Sequence, residues 1–172
     1  MQISAHRLGR SQQQILDRVQ LIAGPAARLA EQHMGGSIGH VDLIVTPRSA
    51  IPDVLTQAHR PLFGRRVNRS HWKQFRCQGT TTINPAGTLI IIDADKCRRT
   101  AYIDVVVLHE FGHAVQFARP GARALLIRNL RNNYGIEVMP DAEGHAANRQ
   151  VDADEAEAAR LEHLARKLAQ LT

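Results

Sequence analysis

Residues 105–116 read VVVLHEFGHAVQ, and this stretch decides how the rest of the chain is interpreted. An apolar run leads into His109, Glu110 follows it directly, and His113 comes four positions after His109. Side chains four positions apart lie on one face of an α-helix, so both imidazoles can reach the same ion. A helix this apolar should be buried, where two neutral histidines without a ligand would be costly. The stretch therefore predicts a buried helix that carries a metal site.

The spacing of these three residues suits zinc chemistry. Zn²⁺ accepts neutral imidazole nitrogens, favours four ligands and keeps one position open for water in catalytic sites. Glu110 lies beside the first histidine, where its carboxylate can reach that water rather than the ion, as a general base must. Gly112, between the histidines, allows another chain segment to approach closely. We therefore expect His109 and His113 to bind Zn²⁺ and Glu110 to be the catalytic base.

The order of the predicted elements indicates a single domain of α+β class. A chain of 172 residues with 44% hydrophobic residues can form one real core but hardly two. Residues 1–10 are expected to form a loose, flexible lead, and residues 146–172 a long amphipathic C-terminal helix. Between them, helical and β-branched patterns alternate. We expect a small mixed β-sheet packed on the HExxH helix and on further helices.

One predicted strand precedes the motif closely. TLIIID at 88–93 is almost continuously apolar, so it should be well covered, and a turn at 84–87 joins it to the strand before it. An edge strand beside the metal helix could bind an extended peptide by strand addition. We expect TLIIID to be that strand.

These residues resemble a known family. VVLHEFGHAVQ after an Ile-rich strand resembles the active-site segment of zincin metallopeptidases. It is most similar to small intracellular gluzincins, such as ImmA/IrrE-type and phage-encoded metallopeptidases, most specifically over residues 88–118 and more loosely over 148–165. Metzincins are excluded, because AVQFARPGA after His113 lacks their third-histidine continuation. The resemblance implies a zincin-like fold, a zinc metalloendopeptidase and a protein or peptide substrate.

The resemblance also implies a third zinc ligand on a later helix. In these families it is the first Glu of a pattern like E-x-E-A-[DN]-x-[FL]-A, and EAEAARLE at 155–162 matches that pattern in part. Carried over by position, Glu155 is the ligand. The chain departs from the pattern at two positions. Ala159 replaces the Asp or Asn that would orient a ligating histidine, and Glu162 replaces a small residue.

Three other residues are alternatives for the third ligand. Asp154 lies centrally on an apolar stripe of the predicted C-terminal helix, where a buried carboxylate must be paired or ligated. Glu157 lies on the same helix. His145 stands in a D-x-x-G-H segment that resembles the third-ligand region of SprT-like DNA-associated proteases. Tyr134 and His145 are candidates to donate a hydrogen bond to a tetrahedral oxyanion.

The formal net charge of +6 raises a second hypothesis. A basic surface can bind nucleic acid, and GRRVNRSHWK at 64–73 combines three arginines, Lys73 and the single Trp72 in a possible phosphate-binding patch. The alternative function is therefore a catalytically silent or specialised zinc-binding scaffold that associates with nucleic acid. No 18-residue apolar run or signal-peptide core is present, so we expect a cytoplasmic protein without a membrane partner. The sequence leaves the oligomeric state open.

Overall fold

The computed structural model of the chain describes residues 1–72, 77–97 and 99–172. The described residues contain one four-stranded mixed sheet with the strand order β1-β2-β4-β3. Strands β1 and β2 run parallel, as do β2 and β4, whereas β3 is antiparallel to β4. The strands are β1 (Gln2–Ala5), β2 (Val41–Thr46), β3 (Gly79–Ile83) and β4 (Thr88–Asp93).

Helices cover the sheet and carry the motif. They are α1 (Gln13–Met34), α2 (Ile51–Phe63), α3 (Thr100–Phe117), α4 (Ala122–Asn133), α5 (Asp141–Ala159) and α6 (Ala165–Gln170), with short 3₁₀ turns between several of them. The predicted α+β class and mixed sheet are therefore confirmed, and the HExxH motif lies on α3. None of the described helices combines the length and the apolar character needed to cross a bilayer.

The continuous apolar run of β4 follows from its central position. Ile90 and Ile92 pack in the main core with α1 and α3, whereas Leu89 and Ile91 pack with α2 on the opposite face. A strand with helices on both faces needs apolar residues at every position. The expectation that TLIIID is the edge strand is therefore wrong, because β4 pairs with β2 on one side and with β3 on the other. The edge strand near the motif is β3.

Helix α3 is fixed against α1 by both apolar and charged contacts. Val107, Leu108 and Phe111 are fully buried in the core that α1 shares. Arg18 of α1 donates two hydrogen bonds, of 2.8 and 2.6 Å, to the buried carboxylate of Asp104. Such a two-bond pair fixes orientation as well as distance. The helix that carries the two histidines is thus fixed in orientation at its core face.

The N-terminal residues do not form the expected loose lead throughout. Gln2–Ala5 is strand β1, with Ile3 opposite Leu43 and Ser4 opposite Ile44 of β2. The strand is short and lies at the sheet edge, where its side chains are half-buried or exposed. An edge strand of this kind shows no apolar alternation, so the sequence pattern gave no signal for it.

The C-terminal region is not one helix over residues 146–172. Helix α5 starts earlier, at Asp141, directly after Pro140 and with acidic residues in its first turn. Acidic side chains in the first turn favour a helix N-terminus through the helix dipole. The chain then leaves the helix after Ala159 and passes through a 3₁₀ turn, Glu162–Leu164, into α6. Through this break Leu161 and Leu168 both become fully buried in the main core.

Candidate metal centre and cleft

Two helices bring three metal-binding side chains to one point. The Nε2 atoms of His109 and His113 on α3 lie 3.1 Å apart. Glu155 of α5 places Oε2 3.3 Å from Nε2 of His109 and Oε1 3.3 Å from Nε2 of His113. Within the described part of the chain, these three residues form a cluster of possible ligands. Asp154, Glu157 and His145 do not belong to it.

The distances between these donors can be compared with those around a tetrahedral zinc ion. Zn–N and Zn–O bonds of about 2.0–2.2 Å at tetrahedral angles separate neighbouring donor atoms by about 3.3–3.5 Å. The separation of the two imidazole nitrogens is 3.1 Å, and each oxygen of Glu155 lies 3.3 Å from one of them, Oε2 from His109 and Oε1 from His113. With one donor atom from each residue, the three donors lie within 4.8 Å of one another. Two imidazole nitrogens and one carboxylate are also a donor set of catalytic zinc sites. Burial lowers the pKa of His113, which favours the neutral imidazole that a metal requires.

Each histidine is oriented by an oxygen acceptor on its other ring nitrogen. Glu162 Oε1 lies 3.1 Å from Nδ1 of His109, and Gln116 Oε1 lies 2.8 Å from Nδ1 of His113. A proton on each Nδ1 leaves the Nε2 lone pair free to face the common point. The absence of Asp or Asn at Ala159 thus does not leave His109 without a carboxylate partner, because Glu162 occupies that role from the turn after α5.

Gln116 connects this site to a polar network that sequence reasoning missed. Its Nε2 donates to the backbone oxygen of Asp154 at 2.8 Å and to Oε2 of Glu157 at 2.9 Å. Arg119 donates to both oxygens of Glu157, at 2.9 and 2.7 Å. The signal in the sequence was the placement of Gln116 three positions after His113, on the same helix face.

The network accounts for the alternative ligands on α5. The hydrogen bond from the Arg119 guanidinium is the main cause of a lowered pKa at Glu157, whose two oxygens are occupied by Arg119 and Gln116. Asp154 lines the cleft, and its Oδ1 accepts a hydrogen bond of 2.8 Å from Gln150. His145 is exposed and does not line the cleft. Glu155 is therefore the acidic residue of α5 whose carboxylate meets both histidines.

Glu110 lies between the histidines and the edge strand. It is 5% exposed, and Thr81 of β3 donates a hydrogen bond of 2.7 Å to its Oε2. Burial raises the pKa of Glu110 to about 8, with a further increase from the charge of Glu155 and an opposing effect of the Thr81 hydrogen bond. Gly79 makes room for the carboxylate, since a Cβ there would lie 2.5 Å from Oε1. A cation bound at the histidines would lower this pKa and favour the ionised carboxylate.

These residues line one cleft of about 770 Å³. Its walls are the edge strand, the outer face of α3 and one face each of α4 and α5. Its lining includes His109, Glu110, His113, Gln116, Glu155 and Glu162. A cleft of this volume can hold several residues of an extended peptide.

The two oxyanion candidates do not face this cleft. Tyr134 is buried in a separate cluster, where its hydroxyl lies 2.5 Å from Nδ1 of His59. His59 Nε2 lies 2.8 Å from Thr82 Oγ1, on the opposite face of β3 from Glu110. Burial raises the pKa of Tyr134 above its usual range. Neither Tyr134 nor His145 is among the residues that line the cleft.

The basic segment at 64–73 is engaged partly in internal contacts. Arg66 donates to the backbone oxygen of Gly135, and Arg69 forms a 3.1 Å ion pair with Asp53. The Trp72 ring packs against the rings of His59 and Tyr134. Lys73 lies outside the described residues. Two of the arginines and the aromatic ring of the expected phosphate patch thus contact the protein itself.

Comparison with known proteins adds no relative to this description. No family model, curated protein or solved structure matches the chain.

Proposed function

We propose that this protein is a zinc-dependent metalloendopeptidase of gluzincin type with a zincin-like fold. The observation that carries the proposal is the convergence of His109 Nε2, His113 Nε2 and the Glu155 carboxylate within 3.3 Å of one another. It is supported by a buried carboxylate, Glu110, in the same cleft and by an edge strand of the sheet, β3, that lines the cleft beside it. Local histidine spacing alone would not bring a carboxylate from a distant helix to the same point.

The proposed zinc ligands are His109, His113 and Glu155. A bound zinc ion supplies a Lewis acid that polarises a peptide carbonyl and lowers the pKa of water. Glu162 and Gln116 hold the two imidazole rings in the ligating orientation through their Nδ1 atoms. The protein thereby fixes the site before substrate arrives.

Glu110 is the proposed general base and acid. Its carboxylate removes a proton from water as the oxygen attacks the carbonyl carbon of the scissile peptide bond. The protonated Glu110 then delivers that proton to the leaving amine nitrogen, which breaks the C–N bond and restores the carboxylate. Thr81 holds Oε2 by its hydrogen bond of 2.7 Å, so the second oxygen is the one available for proton transfer.

The β3 edge is the proposed binding site for the substrate backbone. β3 pairs with β4 on one side, and residues 77–81 line the cleft on the other. The unpaired N–H and C=O groups of an edge strand can bind an extended chain by strand addition. This geometry would present a substrate peptide bond alongside Glu110, which Thr81 anchors to the same strand.

The decisive experiment combines metal analysis with a cleavage assay. Purified protein should contain about one zinc per chain and cleave unfolded casein or a peptide library. Glu110→Gln should retain the zinc and lose cleavage, whereas Glu143→Gln, a change on the exposed surface of α5, should alter neither. Bound zinc without cleavage of any peptide, together with salt-sensitive DNA binding, would instead favour the nucleic-acid-associated scaffold.

A further inference from the structure

The side-chain amide of Gln116 is buried between α3 and α5 in one fixed orientation. Gln116 is 2% exposed, and its Nε2 donates to the backbone oxygen of Asp154 at 2.8 Å and to Oε2 of Glu157 at 2.9 Å. A backbone oxygen cannot donate a hydrogen bond, and neither can a carboxylate that is paired with Arg119. The amide nitrogen must therefore face α5, so the amide oxygen faces the ring of His113.

This orientation decides which ring nitrogen of His113 carries the proton. Oε1 of Gln116 lies 2.8 Å from Nδ1 of His113, and an amide oxygen can only accept a hydrogen bond. The neutral ring must then hold its proton on Nδ1, which leaves the lone pair of Nε2 directed at His109 and Glu155. If the amide turned over, its N–H group would donate to Nδ1 and the ring proton would move to Nε2. That tautomer cannot bind a metal through Nε2.

Two acceptors from α5 oppose such a turn of the amide. Asp154 contributes its backbone oxygen, which no side-chain replacement removes, and Glu157 contributes a carboxylate oxygen. Arg119 holds that carboxylate with bonds of 2.9 and 2.7 Å to its two oxygens. Two bonds between a guanidinium and a carboxylate fix the angle of the carboxylate as well as its position. The acceptor that Gln116 needs is thus kept in place by a residue of its own helix.

We propose that Glu157 and Arg119 are positioning residues, which hold the Gln116 amide in the orientation that leaves Nε2 of His113 without a proton. The inference rests on the proposed function, in which this nitrogen is a zinc ligand. Both residues act through the amide rather than on the metal. Helix α5 then contributes to the site twice, through the carboxylate of Glu155 and through the position of the His113 proton.

Exchanging the two charges separates positioning from simple bracing of the helices. Glu157→Arg alone should lower both the stability of the protein and its zinc affinity, because two cations then meet between α3 and α5. The double variant Arg119→Glu/Glu157→Arg restores an ion pair, so its midpoint of urea unfolding should return close to that of the wild type. Its zinc affinity, measured by competition with a chromogenic chelator, should stay about 10- to 100-fold lower. The reason is that a guanidinium beside Gln116 Nε2 is a donor where the amide needs an acceptor.

The Nδ1–H protons of the two histidines provide a second measurement. In ¹H–¹⁵N spectra of the zinc-loaded wild type, we expect this proton of His113 to be visible, since the Gln116 oxygen protects it from exchange with water. In the charge-exchanged double variant it should exchange too fast to be seen. The Nδ1–H signal of His109, which faces Glu162 rather than the amide, should persist in both proteins and is the internal control.

A second ion pair of α5 provides the matched control variant. Arg128 of α4 lies 2.6 Å from Glu143 of α5, and the same exchange of charges there should leave zinc affinity unchanged. An equal loss of affinity in both charge-exchanged proteins would assign the effect to the docking of α5 and overturn the positioning role.

The outcomes separate the positioning role from the peptidase activity. If Arg119→Glu/Glu157→Arg binds zinc as tightly as the wild type, Glu157 and Arg119 only brace the helices, and the positioning role is overturned while the zinc site stands. If zinc affinity falls as expected but the wild type cleaves no peptide, the positioning role stands and the hydrolase assignment fails. A wild type that takes up no zinc would overturn both.

Discussion

Gly112 of α3 lies directly against Ala158 of α5. A Cβ on Gly112 would be 3.2 Å from the Cα of Ala158 and 2.9 Å from Cδ1 of Leu161. The close approach of these helices is what carries Glu155 to the histidines one turn away. The sequence-based expectation that Gly112 admits a neighbouring segment is confirmed.

This contact predicts the effect of enlarging Gly112. Gly112→Ala should destabilise the protein by about 1–3 kcal/mol, because backbone atoms of α5 cannot yield as a flexible side chain can. It should also weaken zinc binding, since α5 carries Glu155. Gly144→Ala is the matched control on α5 itself, where no atom lies within 4 Å of the new Cβ. That change should stabilise the protein by about 1 kcal/mol through helix propensity. Urea unfolding measures both, and equal effects at the two glycines would contradict the prediction.

Replacing Glu155 should distinguish it from its neighbours on α5. Glu155→Ala should reduce zinc affinity by more than about a hundredfold, beyond the range found for residues that only orient ligands. Asp154→Asn should change affinity little, because the Asp154 carboxylate bonds to Gln150. Competition with a chromogenic chelator measures both affinities. A larger loss in Asp154→Asn would transfer the ligand role to Asp154.

Glu162 should raise the affinity of the site for zinc without being a zinc ligand itself. Glu162→Gln removes the charge that faces Nδ1 of His109, so we expect zinc affinity to fall by about 10- to 100-fold at unchanged stoichiometry. Glu162→Asp should recover part of the loss only if the shorter carboxylate still reaches the ring. The exposed Glu143→Gln provides the control for loss of one negative charge. Equal affinities in Glu143→Gln and Glu162→Gln would show that the His109 contact has no effect on the metal.

The buried His59 should make the protein less stable at acid pH. Burial lowers its pKa to about 4, and the titratable group in contact with it is Tyr134, whose hydroxyl is hydrogen-bonded to Nδ1. The ring of His71 packs on the other ring of this pair, Tyr134. The unfolded chain takes up a proton near pH 6.5 and the folded one only near pH 4. The contribution of His59 to the free energy of unfolding is therefore fully present above pH 7. It is lost as the pH drops from about 6.5 to 4.

A variant at His59 isolates this contribution. Between pH 7 and pH 4.5, His59→Gln should lose about 2 kcal/mol less unfolding free energy than the wild type, because it has no proton to take up. The variant should be less stable at pH 7, since its amide cannot reproduce both hydrogen bonds of the ring. Urea unfolding at several pH values measures the difference. If the free energy of unfolding falls equally with decreasing pH in the variant and the wild type, His59 is excluded as the source.

The sequence predicted those parts of the structure that local periodicity encodes. The four-residue spacing of His109 and His113 and the apolar run before them predicted α3 with both imidazoles on one face, and the structure brings these rings together. TLIIID was predicted correctly as a covered strand. Its place in the sheet was not, because strand order depends on contacts between segments distant in sequence rather than on the composition of one strand.

The residues that orient the two histidine rings, Glu162 and Gln116, could not be predicted from the sequence for the same reason. Glu162 meets His109 only because the chain leaves the helix after Ala159 and turns, and nothing in a helical stripe predicts that break. Gln116 is visible on the α3 face, but its links to Asp154 and Glu157 exist only after α5 has docked. Glu155 followed from a family resemblance, and its role as a ligand stays a prediction although its carboxylate lies beside both rings.

Helix α5 buries only Ala147 and Ala158 along its 19 residues, so little apolar surface holds it in place. A metal bound by residues of both α3 and α5 would hold the two helices together. Its binding free energy would then add to the stability of the folded state. In a cell starved of zinc, we expect the part of α5 before Ala158 to separate from α3 and become the first target of housekeeping proteases. Leu161 and Leu168 keep the residues after α5 in the main core. The abundance of the protein would then follow the metal supply, without any dedicated regulator.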